Sequence, residues 1–250
     1  MTVSHAPEGG DRVGPILTLR GTAERRLLLA ALVLVRDSAP TPVLTAGGAT
    51  VAGLCLWHCY GWRAILHRFS LPFGANEGYQ VDGERFAVRT DVEGDLRVAY
   101  VSCNGQEHGD THRPSEHRNV MWARLASSHG ERPFHLLLQG GDQLYADEAA
   151  RAHPLTDAWR DGETIPAAIA PDVMAEIAET LDRAYFERYL HAFGHLETAR
   201  LLAEVPSLAI WDDHDRERFR IRAKSPHSAR SVARRRASTV HCMPCLWRAA

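Results

Sequence analysis

Three short polar clusters in this chain carry residue types that can do chemistry. The first is Ser102-Cys103-Asn104, the second Gly140-Gly141-Asp142 with Tyr145 shortly after, and the third Asp212-Asp213-His214-Asp215. Aspartate oxygens together with a thiolate and an imidazole suit a borderline transition ion beside a harder one. Each residue alone has a plainer reading. Cys103 could be a small buried hydrophobe, Asp142 after two glycines a turn residue, Tyr145 a packing residue and 212–215 a solvated loop. Like charges as close as those of Asp212, Asp213 and Asp215 repel, however, and a cation relieves that repulsion. Taken together, the three clusters favour a metal site.

The elements that would position them can be read from periodicity. Extended segments are expected over 96–101, 134–138 and 207–211, and each ends at one of the three clusters. Between them, Val120, Met121 and Leu125 fall at helical spacing within 118–127. A long helix opens at Pro171-Asp172, with Ile177, Leu181, Tyr185 and Leu190 on one face. Gly194 breaks it before a second helix over 195–203. Strand, helix, strand, helices, strand is an α/β order. In open α/β sheets ligands gather at the carboxyl ends of the strands, and the Gly140-Gly141 turn lets backbone and ligand approach closely.

The preceding stretch reads differently. Candidate strands at 13–19, 26–35 and 86–90 are separated by turn material such as Pro40-Thr41-Pro42, Gly47-Gly48, Pro72-Phe73-Gly74 and Asp82-Gly83. Short strands spaced by turns suggest a small β-sandwich. The expected organisation is a flexible leader over 1–12, a β-sandwich-like domain over 13–92, an α/β domain over 93–215 and a basic, disordered tail over 216–250, with the domain boundary near 91–95. Trp57, His58, Cys59, Tyr60 and Trp62 form an aromatic cluster read as packing.

Of the 250 residues, 45% are hydrophobic and 24% charged, ordinary values for a globular protein. The net charge of −2 is unevenly spread: ten basic residues from Arg216 onward face only Glu217, so that segment sums to +9 and the preceding 215 residues to −11. So acidic a body is a poor partner for nucleic acid, which binds by phosphate neutralisation, and a reasonable host for cations. Five cysteines do not read as a disulfide framework. No apolar run reaches the roughly 18 residues of a membrane helix. The longest, 27–35, follows Arg25-Arg26 and is read as a buried strand, with a cytoplasmic location expected and export through a twin-arginine signal as the alternative.

On these motifs the chain resembles the PhoD-like (alkaline phosphatase D) metallophosphatases. Gly141-Asp142-Gln143-Leu144-Tyr145 is similar to their Gly-Asp-x-x-Tyr motif, Trp211-Asp212-Asp213-His214-Asp215 to their Trp-Asp-Asp-His-acid motif, and Ser102-Cys103-Asn104 to the Ser-Cys segment that stands in place of a first Asp-x-His. The similarity runs from about 95 to 215, with a family-like β-domain before it. The resemblance implies a calcineurin-like metallophosphoesterase core, here incomplete, and hydrolysis of phosphate esters, whether small molecules or phospholipid head groups. It implies that Asp142 bridges two metals, that Cys103 and Tyr145 bind ferric iron, that Asp213 binds calcium, and that His214 faces the phosphate and serves the leaving group. Asn104, Asp147, Glu148 and Asp212 are left as supporting or structural residues.

The resemblance stops after Asp215. The family's later Gly-Asp-x-His-type segment has no counterpart in the arginine-rich stretch that ends in Cys242-Met243-Pro244-Cys245. A truncated or shifted reading frame is the favoured account, ahead of a basic nucleic-acid-binding arm or a zinc knuckle from His241, Cys242 and Cys245. On that account the chain is a phosphoesterase by ancestry with weak activity as it stands. The alternative is a non-catalytic remnant or binding module.

Overall fold

A computed structural model describes residues 10–75, 77–105, 113–163, 166, 168–212 and 214–215. Asp213, the side chain of Asp147, most of the expected leader and the whole 216–250 segment, with the expectations attached to them, lie outside the described residues. The chain opens with β1 (Arg12–Ala23) and β2 (Arg26–Arg36), joined by a two-residue turn in which Glu24 and Arg25 both take positive φ, 47° and 56°. Paired positive φ values are what a tight hairpin turn needs to match the strand twist. Short strands β3 (Leu44–Ala46) and β4 (Ala49–Val51) follow, then a second long hairpin, β5 (Gly53–Cys59) and β6 (Trp62–Pro72). Next come β7 (Gly78–Val81), β8 (Glu84–Ala87) and β9 (Val98–Val101).

Helices α1 (Ser115–Arg118) and α2 (Val120–Glu131) lead to β10 (Leu136–Gln139). A 3-10 turn (Ala146–Ala152), α3 (Pro154–Arg160), α4 (Pro171–Gly194) and α5 (Leu196–Glu204) then lead to β11 (Ser207–Ala209). The expected helices and the three expected strand ends are found within a few residues of their predicted places. Pro171 sits in the first turn of α4, where its missing N–H costs nothing.

The molecule is mixed α/β, with a seven-stranded sheet in the order β5-β6-β2-β1-β11-β10-β9 and a four-stranded sheet in the order β4-β3-β7-β8. The left part of the large sheet is antiparallel and the β1–β11–β10–β9 part is parallel. Strand β2 is buried along almost its whole length because both its faces are covered, which is why its sequence is a continuous apolar run rather than an alternating one. Ala30, Leu32 and Leu34 share a core with Ala64, Leu66 and the helical residues Phe186, Tyr189, Leu190 and Leu201. Leu29 and Ala31 instead share a core with Leu44, Tyr79, Val81 and Phe86 of the small sheet.

The expectation of a β-sandwich set apart from an α/β domain near 91–95 is corrected here. Two sheets do stack, but the larger runs on across that boundary: Thr18 of β1 pairs with Ser207 of β11, and the Ser207 hydroxyl donates to the Leu17 carbonyl at 3.0 Å. The Tyr79 hydroxyl likewise donates to the Ala203 carbonyl at 2.8 Å. Residues before and after the expected boundary fill one core, because β1 offers its free edge to the parallel strands instead of to solvent. β1 also begins at Arg12, inside the expected leader. The aromatic cluster packs as expected: Trp57, Tyr60 and Trp62 surround Phe186 of α4 with ring centroids 5.3, 5.8 and 6.5 Å away.

The helices cover the face of β9, β10 and β11 that carries Ala99 and Leu137. On the other face Val98, Tyr100, Leu208 and Ile210 are exposed, and Leu136 and Leu138 are half-buried.

Candidate functional site

The carboxyl ends of β9, β10 and β11 converge, and the backbone achieves this by leaving ordinary strand geometry at each end. Cys103 and Asp142 both adopt left-handed φ values, 56° and 55°, a conformation uncommon for residues with a side chain and concentrated at functional sites. The ladder between β9 and β10 continues past the strands: the Cys103 N–H donates to the Gly141 carbonyl at 3.1 Å and the Asn104 N–H to the Asp142 carbonyl at 2.8 Å. Glycine is required at Gly141 in the connecting turn, whereas at Gly140 an added Cβ would displace the exposed Tyr100 ring. A Cβ on Gly140 would lie 2.0 Å from the Tyr100 hydroxyl, and one on Gly141, at φ 100°, would lie 2.6 Å from the Asp212 Cβ.

Within this frame the Cys103 sulfur lies 3.7 Å from Asp142 Oδ2. The Asp142 Oδ1 accepts the His214 backbone N–H at 3.2 Å. The rings of Tyr145 and His214 stack with centroids 4.3 Å apart and planes at 26°. Cys103, Asp142, Tyr145 and His214 are therefore brought together from three separate segments. Asp142 is buried, Cys103 is exposed and the two rings are half-buried, so the group opens to solvent on the thiol side.

Asp215 had no role from sequence alone. The residue is 4% exposed, and its carboxylate takes three backbone donors: Oδ2 accepts from the Asp142 N–H at 2.6 Å and from the Asp212 N–H at 3.2 Å, and Oδ1 from the Leu144 N–H at 3.1 Å. Burial pushes its carboxyl above the ordinary range, the three N–H donors oppose that, and the nearby charge of Asp142 adds to the rise. Burial, with Asp215 beneath the site, also raises the Tyr189 phenol. Asn104 is the second residue whose part emerges only here. Its side chain accepts from Trp122 Nε1 at 3.1 Å and donates to the Gln143 carbonyl at 3.3 Å, tying α2 to the two strand ends. Gln143 reaches on to the Ile210 carbonyl at 3.0 Å, tying in the third. The acid that closes the Asp-Asp-His-acid motif was the available signal for Asp215. Nothing in the sequence pointed to Trp122.

Thiolate and carboxylate ligands stand about 2.0–2.3 Å from a shared ion, so the 3.7 Å between Cys103 and Asp142 is a spacing one ion can bridge. Among the described residues there is no group of three or more His, Cys, Asp and Glu side chains arranged to hold a metal. The fit is thus to one edge of a coordination sphere, with Tyr145 beside it.

No protein-family model matches the chain. A Saccharomyces cerevisiae protein named "Uncharacterized protein YGR266W" is 28% identical over a 157-residue alignment that covers 55% of this chain and 22% of the yeast protein. The chain therefore spans less than a quarter of that relative's length. A solved structure titled "Structure of PhoD" overlaps 86% of this chain and 40% of that chain, with a TM-score of 0.38 and 12% identity. That is a weak structural resemblance, and it carries nothing about the site. No helix among the described residues is long and apolar enough to cross a membrane.

Proposed function

We propose that this chain is built for metal-dependent hydrolysis of phosphoric esters of the PhoD-like type, with a small-molecule phosphate ester or a phospholipid head group as substrate. The observation that carries the reading is the meeting of Cys103 and Asp142 at 3.7 Å on converging strand ends, beside the stacked Tyr145 and His214. A thiolate, a phenolate and a carboxylate form a donor set that favours ferric iron, and Asp142 with Asp213 would supply oxygen ligands to a second, harder ion such as calcium. When bound, such ions supply Lewis-acid polarisation of the phosphoryl group and activate water.

The chain's own residues do the positioning. Asp142 is fixed at both ends, its N–H by Asp215 and one carboxylate oxygen by the His214 N–H. Its orientation is set before any ion arrives, so little ordering is left to the moment of reaction. Tyr145 stacks on the His214 ring and so restricts the orientations the imidazole can take. From there His214 would hold or deliver the proton that the leaving group needs.

The test is iron and cobalt titration of the full 250-residue chain, read by thiolate and phenolate charge-transfer absorption, with turnover of chromogenic phosphodiester and monoester substrates. Absorption that Cys103→Ser removes from the thiolate band and Tyr145→Phe from the phenolate band is expected, with turnover abolished by Asp142→Asn. A chain that binds neither metal, or binds it identically after Cys103→Ser, would favour the non-catalytic reading instead.

A further inference from the structure

We infer that Asp215 is a positioning residue: its carboxylate fills a pocket of three converging backbone N–H groups, and so sets Asp142 and His214 in place. The inference rests on the phosphoesterase reading only for what the positioned groups go on to do. The geometry itself stands apart from it. Asp142, Leu144 and Asp212 lie on two different strand ends, β10 and β11, yet their N–H groups all point at one buried carboxylate, at 2.6, 3.1 and 3.2 Å.

The chemistry of the arrangement follows from what each partner would lose. Asp142 is held at φ 55°, where a residue with a side chain is strained. Its N–H is buried with its carboxylate, and a buried N–H without an acceptor is costly. Asp215 removes that cost and makes the strained turn tenable. The Asp212 N–H, three residues back, folds Asp215's own loop onto the same carboxylate, and the Asp142 and Leu144 N–H groups lock that loop against the 140–144 turn. The His214 N–H is thereby delivered to Asp142 Oδ1 at 3.2 Å, which closes a ring of hydrogen bonds between the two loops. Both Asp215 oxygens are engaged by backbone donors. The part it plays is therefore that of an anion seated among main-chain amides.

That description has a specific consequence. If the pocket needs an anion of carboxylate shape and not Asp215 as such, removing the side chain leaves a cradle that a free small carboxylate can enter. Asp215→Ala in the full chain is expected to speed amide exchange at Asp142, Leu144 and Asp212 by about ten- to a hundred-fold, the range for losing charge-assisted bonds. Exchange in β2 and β6 should be unchanged. Formate or acetate should restore the protection, and neutral formamide should not. Cobalt thiolate absorption from Cys103 should fall in the variant and return with formate. Asp215→Asn keeps the size but turns an NH2 toward one of the three donors, so it should show intermediate protection and no response to formate. It serves in place of the alanine variant should that fail to fold.

Unchanged amide exchange in both variants, or recovery that formamide provides as well as formate, would overturn the inference. If wild type shows no cobalt band, the phosphoesterase reading fails, and the amide protection still decides the part played by Asp215.

Discussion

Gly141 shows how tightly the site is drawn at the scale of a residue. Its φ of 100° is foreign to side-chain-bearing residues, and its missing Cβ leaves room for the Asp212 Cβ, which would otherwise stand 2.6 Å away. Both constraints act on the same atom. Gly141→Ala must therefore twist the turn and push the 212–215 loop away, and backbone strain with a steric clash costs about 1–3 kcal/mol. A denaturant midpoint lowered by that amount, together with weaker metal binding, is the expected outcome. Unchanged stability would mean that the two loops are not in contact.

At the scale of elements, one contact holds a helix to the sheet and a second holds two helices to each other. Phe186 of α4 is 1% exposed and stands among Trp57, Tyr60 and Trp62 from the β5–β6 hairpin. Truncating a buried phenylalanine costs about 3–5 kcal/mol, and Phe186→Ala is expected to lose that much in equilibrium unfolding, whereas an exposed aromatic would cost far less. The second contact joins α2 to α5. Glu204 lies 3.4 Å from His129 Nε2 and 3.6 Å from Arg200 Nε. Burial alone would raise its carboxyl, but the His129 hydrogen bond and the Arg200 guanidinium outweigh burial and hold it below its ordinary value of 4.5. A depressed carboxyl contributes stability that is present above the unfolded-state value and is lost as pH falls through the folded one. The melting temperature of wild type should therefore fall on acidification below about pH 4.5, as carboxylates protonate. Glu204→Gln should start lower at neutral pH and approach wild type as the pH drops. Parallel curves for the two proteins would show that the Glu204 charge does not matter.

The whole molecule is organised around one sheet shared by both halves of the sequence. The Thr18–Ser207 pairing and the common core of β1, β2, β6, α4 and α5 leave no seam at residues 91–95. Two separately cored domains would melt in two steps. A shared core couples them, so a single cooperative transition is expected, with calorimetric and van't Hoff enthalpies equal. Two resolved transitions by calorimetry would show that the shared strand pairing is too weak to join the halves.

Much of this was legible in the residues themselves. The strand ends before Cys103, Asp142 and Asp212 were legible in the local pattern, since each is an apolar run that gives way to polar residues. The helix at Pro171 was marked by its proline and its apolar spacing, which is local information too. The buried strand at 27–35 was legible as apolar, though not that it is covered on both faces. What the sequence could not carry was anything that depends on distant partners. Strand β6, with Arg63, His67 and Arg68 among its residues, hides its alternation, because the layers packed on its two faces decide which side chains are covered. The merging of the two halves rests on the free edge of β1 meeting β11, where Thr18 pairs with Ser207 far along the chain. Asp215 reads locally as one more acid in an acidic loop, and becomes the acceptor for the Asp142 and Leu144 N–H groups, besides its neighbour Asp212, only when two strand ends close around it. Local propensity specifies where an element stops, whereas only tertiary packing decides which buried charge is met by which backbone group.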